Sequence, residues 1–318
     1  MTFRTVVNTG FCTDTVSHQD HLLTLGSCFS DNIGIKLQNA LFSVDVNPFG
    51  VLFNPVSIAN SVEILLKKDL FTEKQLFRNG SLWSSFSHST LFSATTPEQA
   101  LLNINSRLNI SIANLSDTNY LLVTFGTAWV YEDTEHHNHV VSNCHKLPAN
   151  RFNRRRLSVG EIVDLWSKLI DKLKVEMPAL KIIFTVSPVR HWKDGAQENN
   201  LSKSTLLLAV DNLTKNFQQV HYFPAYEIQM DELRDYRFYS SDMLHPSDVA
   251  VDYIWEKFAN TFFSADTCLI KNKAEQLTKA LNHRPLHAGT AEYDNFLRQI
   301  ETQKETLFQI YPFLKNRI

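Results

Sequence analysis

The sequence predicts an α/β protein in which helices cover both faces of one five-stranded parallel sheet. Two observations lead to this fold class. Short apolar runs alternate along the chain with longer segments of helical period, a pattern typical of parallel strands joined by crossover helices. The run 119–125, NYLLVTF, is apolar on both faces, as expected for a strand in the centre of such a sheet.

Each apolar run is assigned to a strand and each periodic segment between runs to a helix. The predicted strands are 21–25, 42–46, 119–125, 180–186 and 219–223. The predicted helices are 29–40, 56–67, one that begins after Ser158, 202–217 and 246–263. The sequence also predicts a polar insertion over 68–96 and a β-hairpin over 130–142.

The chain is expected to consist of one large domain and an appendage, because 318 residues are near the upper limit for a single core. Residues 1–264 are predicted to form the α/β domain. Residues 265–318 are predicted to form a C-terminal helical extension packed on it. This extension would contain two amphipathic helices, split at Pro285 and Gly289.

Composition and charge exclude several classes of partner. The 31 Lys and Arg residues against 33 Asp and Glu give a formal net charge of −2, so no global field attracts nucleic acid or an anionic membrane. No GxGxxG or GxxxxGK[ST] string occurs, which removes the usual dinucleotide and P-loop motifs. We expect no cofactor, no nucleic-acid partner and no membrane partner.

The cysteines and the N-terminus bear on the compartment. Four cysteines lie far apart without a C-x-x-C pair, which favours reduced thiols over a disulfide framework or a zinc ribbon. The first twenty or so residues lack an apolar core of signal-peptide length. The sequence therefore predicts a cytoplasmic protein.

Ligands of an open α/β sheet gather beyond the carboxyl ends of its strands. Four segments follow predicted strands there, at 26–29, 126–129, 187–191 and 226–245. Together they contain a thiol, hydroxyls, two histidines and several carboxylates. This set of side chains suits nucleophilic acyl chemistry.

Two of these segments also carry the motifs of a known family. Residues 25–32, LGSCFSDN, resemble the motif after which the GSCFA family is named, and residues 239–246, YSSDMLHP, resemble its closing motif. Further similarity occurs at 47–50 (NPFG), 143–146 (NCHK) and 187–191 (SPVRH), so that it spans most of 22–258. The family is similar to the SGNH hydrolases. That resemblance implies a flavodoxin-like αβα sandwich and an esterase, lipase or carbohydrate deacylase activity.

The resemblance also implies roles for individual residues. In SGNH enzymes the nucleophilic serine stands two residues after the glycine of the first turn, and that place is Cys28 here. Ser27 is the alternative nucleophile, one residue out of register. Asp242 and His245 match the Asp-x-x-His motif, in which the histidine is the base and the aspartate orients it. Gly50 matches the glycine whose N–H serves the oxyanion hole.

The chain departs from the SGNH pattern at the third block. Gly126 and Thr127 match the first two positions of Gly-x-Asn, but Ala128 replaces the asparagine. Loss of one oxyanion donor costs about 3 to 4 kcal/mol in a working site. Either Asn54 or another amide takes its place, or the site does something slower or different.

Physical chemistry favours Cys28 over Ser27 independently of the register. A thiol just before the predicted helix 29–40 lies at the positive end of the helix dipole, where cysteine pKa values fall. A nearby His245 would lower the thiol pKa further. The alternative is that Cys28 is merely a small buried side chain, which is common for a lone cysteine.

Other polar residues have weaker claims on the site. Arg190 and His191 directly follow a predicted strand at the ligand-binding edge. His88 and His145 are candidate supporting or substrate ligands, although a core or surface position is the simpler interpretation. The run 135–139, EHHNH, suggests a metal ligand pair, but hairpin tips are normally solvated and we expect no metal.

The sequence leaves three functions open. The leading hypothesis is a cysteine-dependent hydrolase of small esters or acylated carbohydrates. The second is an acyltransferase that moves acetyl from coenzyme A to a sugar, for which the four arginines of 151–156 could hold a phosphate, although a solvated basic loop is the simpler interpretation. The third is a non-catalytic glycan-binding module, suggested by Ala128. The substrate, the acyl group and the oligomeric state are not specified by the sequence.

Overall fold

The computed structural model describes residues 4–136, 138–283 and 290–317. Its strands are β1 His21–Gly26, β2 Ser43–Val46, β3 Phe77–Asn79, β4 Leu82–Ser84, β5 Thr118–Phe125, β6 Trp129–Asp133, β7 His139–Val141, β8 Phe152–Arg156, β9 Lys181–Val186 and β10 Val220–Phe223. Its helices are α1 Cys28–Asn39, α2 Pro55–Lys67, α3 Pro97–Leu115, α4 Val159–Glu176, α5 Gly195–Asn216, the single turn α6 Ala225–Glu227, α7 Asp248–Phe262, α8 Ala265–Leu281 and α9 Ala291–Ile310.

Five parallel strands form the central sheet in the order β10-β9-β5-β1-β2. Counted along the chain within the sheet, this is the flavodoxin-like order 2-1-3-4-5, so the predicted fold class is confirmed. The direction of winding reverses between β1 and β5. In doubly wound sheets this switch point is where ligands bind.

Helices cover both faces of the sheet because the side chains of its strands alternate. Leu121, Val123 and Phe125 of β5 belong to one apolar cluster, which α2, α3, α4 and α5 complete. Tyr120 and Leu122 point the other way, into a second cluster with α1 and α7. The result is a three-layer sandwich with two cores.

Helix starts follow local capping chemistry. The capping box of Ser158 and Glu161 at α4 is present as predicted. Helix α3 was not predicted, although Thr96 caps it and Pro97 occupies its first position, where a proline is favoured. Helix α5 starts at Gly195, seven residues before the predicted start at 202.

Two small antiparallel sheets are inserted between the parallel strands, the hairpin β3-β4 and the three-stranded sheet β7-β6-β8. The predicted hairpin over 130–142 is confirmed by β6 and β7. The prediction of a solvated loop over 151–156 is wrong, because most of this segment is β8. Its arginines are held by carboxylates. The pairs are Arg151–Asp133 at 2.7 Å, Arg154–Asp194 at 2.5 Å, Arg155–Glu132 at 2.6 Å and Arg156–Glu198 at 3.3 Å.

Both ends of the described chain pack on the α/β domain. In the N-terminal segment, the N–H of Cys12 donates to the carbonyl of Thr261 and that of Val16 to the carbonyl of Phe262, both at 2.8 Å. At the other end, α8 and α9 share an apolar cluster with Leu41. The predicted split at 285 and 289 lies outside the described residues. None of the described helices has the length and apolar character that crossing a membrane requires.

Candidate active site

The turn between β1 and α1 lies at the switch point of the sheet. Gly26 ends β1 opposite Thr124 of β5 and has a φ of +146°. A Cβ at Gly26 would lie 2.3 Å from the carbonyl oxygen of Thr124, so the two backbones approach closely only because this residue is glycine. The turn therefore holds Ser27 and Cys28 against the end of β5.

The two candidate nucleophiles differ in access. Ser27 is 1% exposed; it precedes α1 but its side chain makes no capping bond, and its Oγ is buried without a partner among the described residues. Cys28 is the first residue of α1 and is half-buried. Of the two residues, Cys28 is the one that is partly exposed.

The thiol is not a thiolate at rest. Burial raises the pKa of Cys28, and the carboxylate of Asp31 one turn further along α1 raises it too. The N–H groups of Phe29 and Cys28 and the charge of Lys203 lower this pKa by less. The prediction of a lowered thiol pKa is therefore wrong, because desolvation of the thiol raises its pKa more than the N–H groups at the start of α1 lower it.

Asp242 and His245 form a preorganised pair. The imidazole Nδ1 lies 2.5 Å from one carboxylate oxygen of Asp242, whose other oxygen accepts the N–H groups of Leu244 at 2.9 Å and His245 at 3.0 Å. These backbone bonds, followed by the imidazole, lower the pKa of Asp242 to about 2. The ionised carboxylate thus fixes the ring, and both side chains are about half exposed.

His191, which follows β9, lies beside Gly126 and Phe53. Its Nε2 is 3.2 Å from the position that a Cβ on Gly126 would take, and its ring meets Phe53 edge-on at 5.4 Å. Burial, followed by the charge of Lys203, lowers the pKa of His191 to about 4; the charge of His245 also contributes. His191 is therefore neutral at physiological pH and within electrostatic reach of His245.

Lys203 of α5 is a site residue that sequence reasoning missed. It is 1% exposed, and its ammonium donates to the carbonyl oxygens of Gly126 and Ser187, both at 2.7 Å. It thereby ties the end of β5 to the end of β9, and burial lowers its pKa to about 7. The available signal was its position on the apolar stripe of α5, three residues before Leu206 and ten before Leu213.

Asn47 is a second residue whose role the motif alone did not reveal. Its side-chain oxygen accepts the N–H of Gly26 at 2.9 Å, and its amide donates to Asp31 at 2.5 Å. It joins the end of β2 to the nucleophile turn. The same backbone turn engages Gly50, whose N–H donates to the carbonyl of Asn47 at 2.7 Å, so this N–H is not available as an oxyanion donor.

The other proposed oxyanion positions are also engaged. Asn54 caps α2 through the N–H of Ser57 at 2.8 Å. The hydroxyl of Thr127 lies 3.1 Å from that of Ser202, which accepts the N–H of Ala128 at 2.8 Å. Ala128 itself is completely buried in the core. Position 128, where the SGNH motif has an asparagine, is thus a core packing position in this chain.

The structure does not bring His88 and His145 to the site. His88 is fully buried and stacks on Phe49 with ring centroids 4.9 Å apart; burial lowers its pKa to about 3. His145 bonds the carbonyl of Ser85 at 2.9 Å. Arg190 does lie beyond β9, with its guanidinium 4.9 Å from the ring centroid of Trp192.

The histidine run on the hairpin is engaged in part. His136 lies 2.7 Å from the carboxylate of Asp133, which Arg151 also binds, and His137 lies outside the described residues. Within 4–136, 138–283 and 290–317, no three His, Cys, Asp or Glu side chains are grouped as a metal site would need.

Fold and site together define a class: a doubly wound α/β protein with a thiol at the switch point and an Asp–His pair on the same edge. Comparison with protein families identifies the family within this class. Residues 21–258 match the GSCFA family and residues 274–316 match the GSCFA domain protein, C-terminal domain. The chain belongs to the GSCFA family. No curated protein matches it significantly.

Solved structures resemble the chain only distantly. A carbohydrate esterase family 2 enzyme with a carbohydrate binding domain, from Corynascus thermopiles (Myceliophthora fergusii), has 11% identity and a TM-score of 0.37, covering 80% of this chain and 67% of its own. The Clostridium thermocellum family 3 carbohydrate esterase has 13% identity and a TM-score of 0.32, covering 80% of this chain and 98% of its own. These scores are too low to bear on the activity of this protein.

Proposed function

We propose that the protein hydrolyses esters of small molecules or carbohydrates and that Cys28 is its nucleophile. The observation that carries this proposal is the position of a partly exposed thiol at the switch point, on the same edge as the Asp242–His245 pair. Arg190 and Asp242 line one cavity of about 460 Å³ at this edge. The pair has the geometry in which a carboxylate orients a catalytic imidazole.

The raised thiol pKa requires a base during the attack. His245 takes the proton from Cys28 as the sulfur attacks the ester carbonyl, and the C–O bond breaks. The protonated imidazole then gives its proton to the departing alcohol, which leaves a thioester on Cys28. Water attacks this thioester with His245 as the base. The acid is released, and the sulfur regains a proton.

The oxyanion donors in this proposal are the N–H groups of Cys28 and Phe29. Both belong to the first turn of α1, where backbone N–H groups lack partners within the helix. They already favour negative charge at this point, since they lower the pKa of the thiol. They replace the donors that Gly50 and Ala128 do not supply.

The test is intact-mass spectrometry after rapid mixing with 4-nitrophenyl acetate. We expect a single acetyl adduct that maps to Cys28, and no adduct or turnover in Cys28→Ala. Asp242→Asn should lower turnover by roughly a thousandfold, because the imidazole loses its orientation and its countercharge. Acetyl-coenzyme A as the donor, with a sugar present, distinguishes transfer from hydrolysis by its product.

Two matched variants make the result decisive. Cys268→Ala removes a half-buried thiol on α8 and should leave the adduct unchanged. Ser27→Ala should also leave it unchanged; if Ser27→Ala abolishes the adduct and Cys28→Ala does not, the nucleophile is the serine. Full turnover in both Ser27→Ala and Cys28→Ala would contradict a covalent intermediate at this turn.

A further inference from the structure

A cavity of about 440 Å³ lies beside the proposed active site, between the inserted three-stranded sheet and the carboxyl edge of the main sheet. Its size is within the range of small-molecule pockets. Thr127 and His191 line the end nearest to Gly126, while Trp129 and Tyr131 of β6 and Phe152 of β8 form its aromatic walls. No step of the proposed hydrolysis uses these walls.

Three nitrogen atoms on the lining residues are buried and unpaired within the described part of the chain. They are Nε1 of Trp129, Nε of Arg154 and Nε2 of His191. The first two can only donate a hydrogen bond. A buried donor without a partner costs about 1 to 3 kcal/mol, so a ligand whose acceptor oxygens reach these nitrogens from the cavity would recover that cost.

The described residues that line the cavity carry a net positive charge. Arg154, Lys146 and Lys193 line it. The carboxylate among the described lining residues is Asp194, and Arg154 holds it at 2.5 Å. The guanidinium of Arg154 also lies 4.1 Å from the ring centroid of Trp129, so that a cation and an aromatic face are presented together. Such a surface favours an anion.

We infer that this cavity binds a sugar ring that carries an anionic group, a carboxylate or a phosphate. The aromatic walls cover the apolar face of the ring, the unpaired donors bind its oxygens, and the lysines meet the anion. The inference rests on the proposed function for the fate of the acyl group, which would sit between this cavity and Cys28. Binding of the ring itself needs no turnover.

Isothermal titration of the full chain with unacylated sugars tests the inference. The probes are glucuronate, glucose 6-phosphate, glucose and inorganic phosphate. The two acidic sugars should bind at least about tenfold more tightly than glucose, since hydrogen bonds to a charged group are the stronger ones. Comparison of glucuronate with glucose 6-phosphate then shows which anion the cavity takes.

Variants locate the binding. Trp129→Phe keeps a ring and removes the N–H, and should weaken both acidic sugars by about tenfold. Lys146→Gln changes an exposed side chain, so folding is not at risk, and should weaken the acidic sugars about threefold without affecting glucose. The matched control, Lys168→Gln, alters an exposed lysine on α4 away from the cavity and should have no effect.

Several outcomes would overturn the inference. Binding of glucose as tight as that of glucuronate, or of phosphate as tight as that of glucose 6-phosphate, excludes specific recognition of an acidic ring here. Weakening by Lys168→Gln equal to that by Lys146→Gln excludes it too. Absence of binding at millimolar sugar excludes it as well. A chain that binds acidic sugars but never forms an adduct on Cys28 supports this inference and refutes the proposed hydrolysis.

Discussion

Two lysines are almost completely buried, and their surroundings shift their pKa values in opposite directions. Lys203 lies among backbone carbonyls near the site, and burial lowers its pKa to about 7. Lys271 on α8 is equally buried, but the carboxylates of Glu256 and Glu275 outweigh the effect of burial and raise its pKa. Within the described part of the chain, no carboxylate pairs with Lys203, whereas Lys271 pairs with two.

This difference predicts a contribution to the pH dependence of stability that Lys203 makes and Lys271 does not. Between about pH 7 and 10.5 the unfolded chain holds a proton on Lys203 that the folded chain has released, so the free energy of unfolding rises with pH. The contribution is about 1.4 kcal/mol per pH unit in this range. Urea unfolding of wild type and Lys203→Met at pH 7, 8 and 9 should show a shallower slope in the variant.

Lys271→Met is the control for that measurement. Its pKa is raised, so its stabilising proton is lost only above pH 10.5, and the slope from pH 7 to 9 should match that of wild type. Equal slopes in Lys203→Met and wild type would mean that the ammonium of Lys203 keeps its usual pKa. A steeper slope in Lys271→Met would show that the effect is not specific to the site.

At the scale of elements, the turn from β1 to α1 tolerates one residue type at its first position. Gly26 combines a φ of +146° with a backbone oxygen 2.3 Å from where a Cβ would be. A Cβ at Gly160, in the first turn of α4, would meet no described atom within 4 Å. The two glycines therefore predict opposite results for the same substitution.

Gly26→Ala should cost about 3 kcal/mol of stability or more, because strain and a backbone collision add. Gly160→Ala should be neutral or stabilise by up to about 1 kcal/mol, since alanine favours a helix. Chemical denaturation measures both, and alkylation of Cys28 reports whether the turn has moved. A Gly26→Ala protein as stable as wild type would refute the close approach of β1 and β5.

The parallel strands were predictable because each is a short run rich in apolar residues, and Ser158 with Glu161 marked a helix start. Helix α3 was not predicted although Thr96 and Pro97 are typical of a helix start. Its segment directly follows a polar insertion to which no helix was assigned. The strand β8 could not be recognised from RFNRRR, since its arginines are satisfied by carboxylates that only the fold brings near.

The site was predictable only where its chemistry is local. Asp242 and His245 are three residues apart, so one turn pairs them. The pKa of Cys28 depends on how deeply α1 is packed and on Asp31, and the engagement of Gly50 depends on a turn with Asn47. Lys203 meets its two carbonyl partners across the sheet edge, which no sequence spacing expresses.

At the scale of the whole molecule, residues 265–318 are proposed to be an extension that supports the α/β domain. Lys271 and Glu275 of α8 reach back to α7, where Trp255 donates to Glu275 at 2.7 Å. Leu41, which follows α1, lies in one apolar cluster with Leu277 of α8 and residues of α9. The extension therefore covers apolar surface that the larger domain would otherwise expose.

A chain that ends after residue 264 should accordingly lose stability and expose Leu41 and Trp255. We expect a thermal midpoint several degrees lower, measured by calorimetry, with increased dye binding to apolar surface. Leu307→Ala, which leaves the chain intact but thins the same cluster, should cost about 2 kcal/mol or more. A truncated chain with the wild-type midpoint would show that the extension is an independent unit.

The N-terminal segment that pairs with the end of α7 has a consequence for synthesis. Cys12 and Val16 bond to Thr261 and Phe262, so their partners leave the ribosome roughly 250 residues later. At roughly 5 to 20 residues per second, this delay is about 12 to 50 s. During that time the first strand can already pair with its neighbours. The segment around Cys12 and Val16 is thus among the last parts of the chain to form its tertiary contacts.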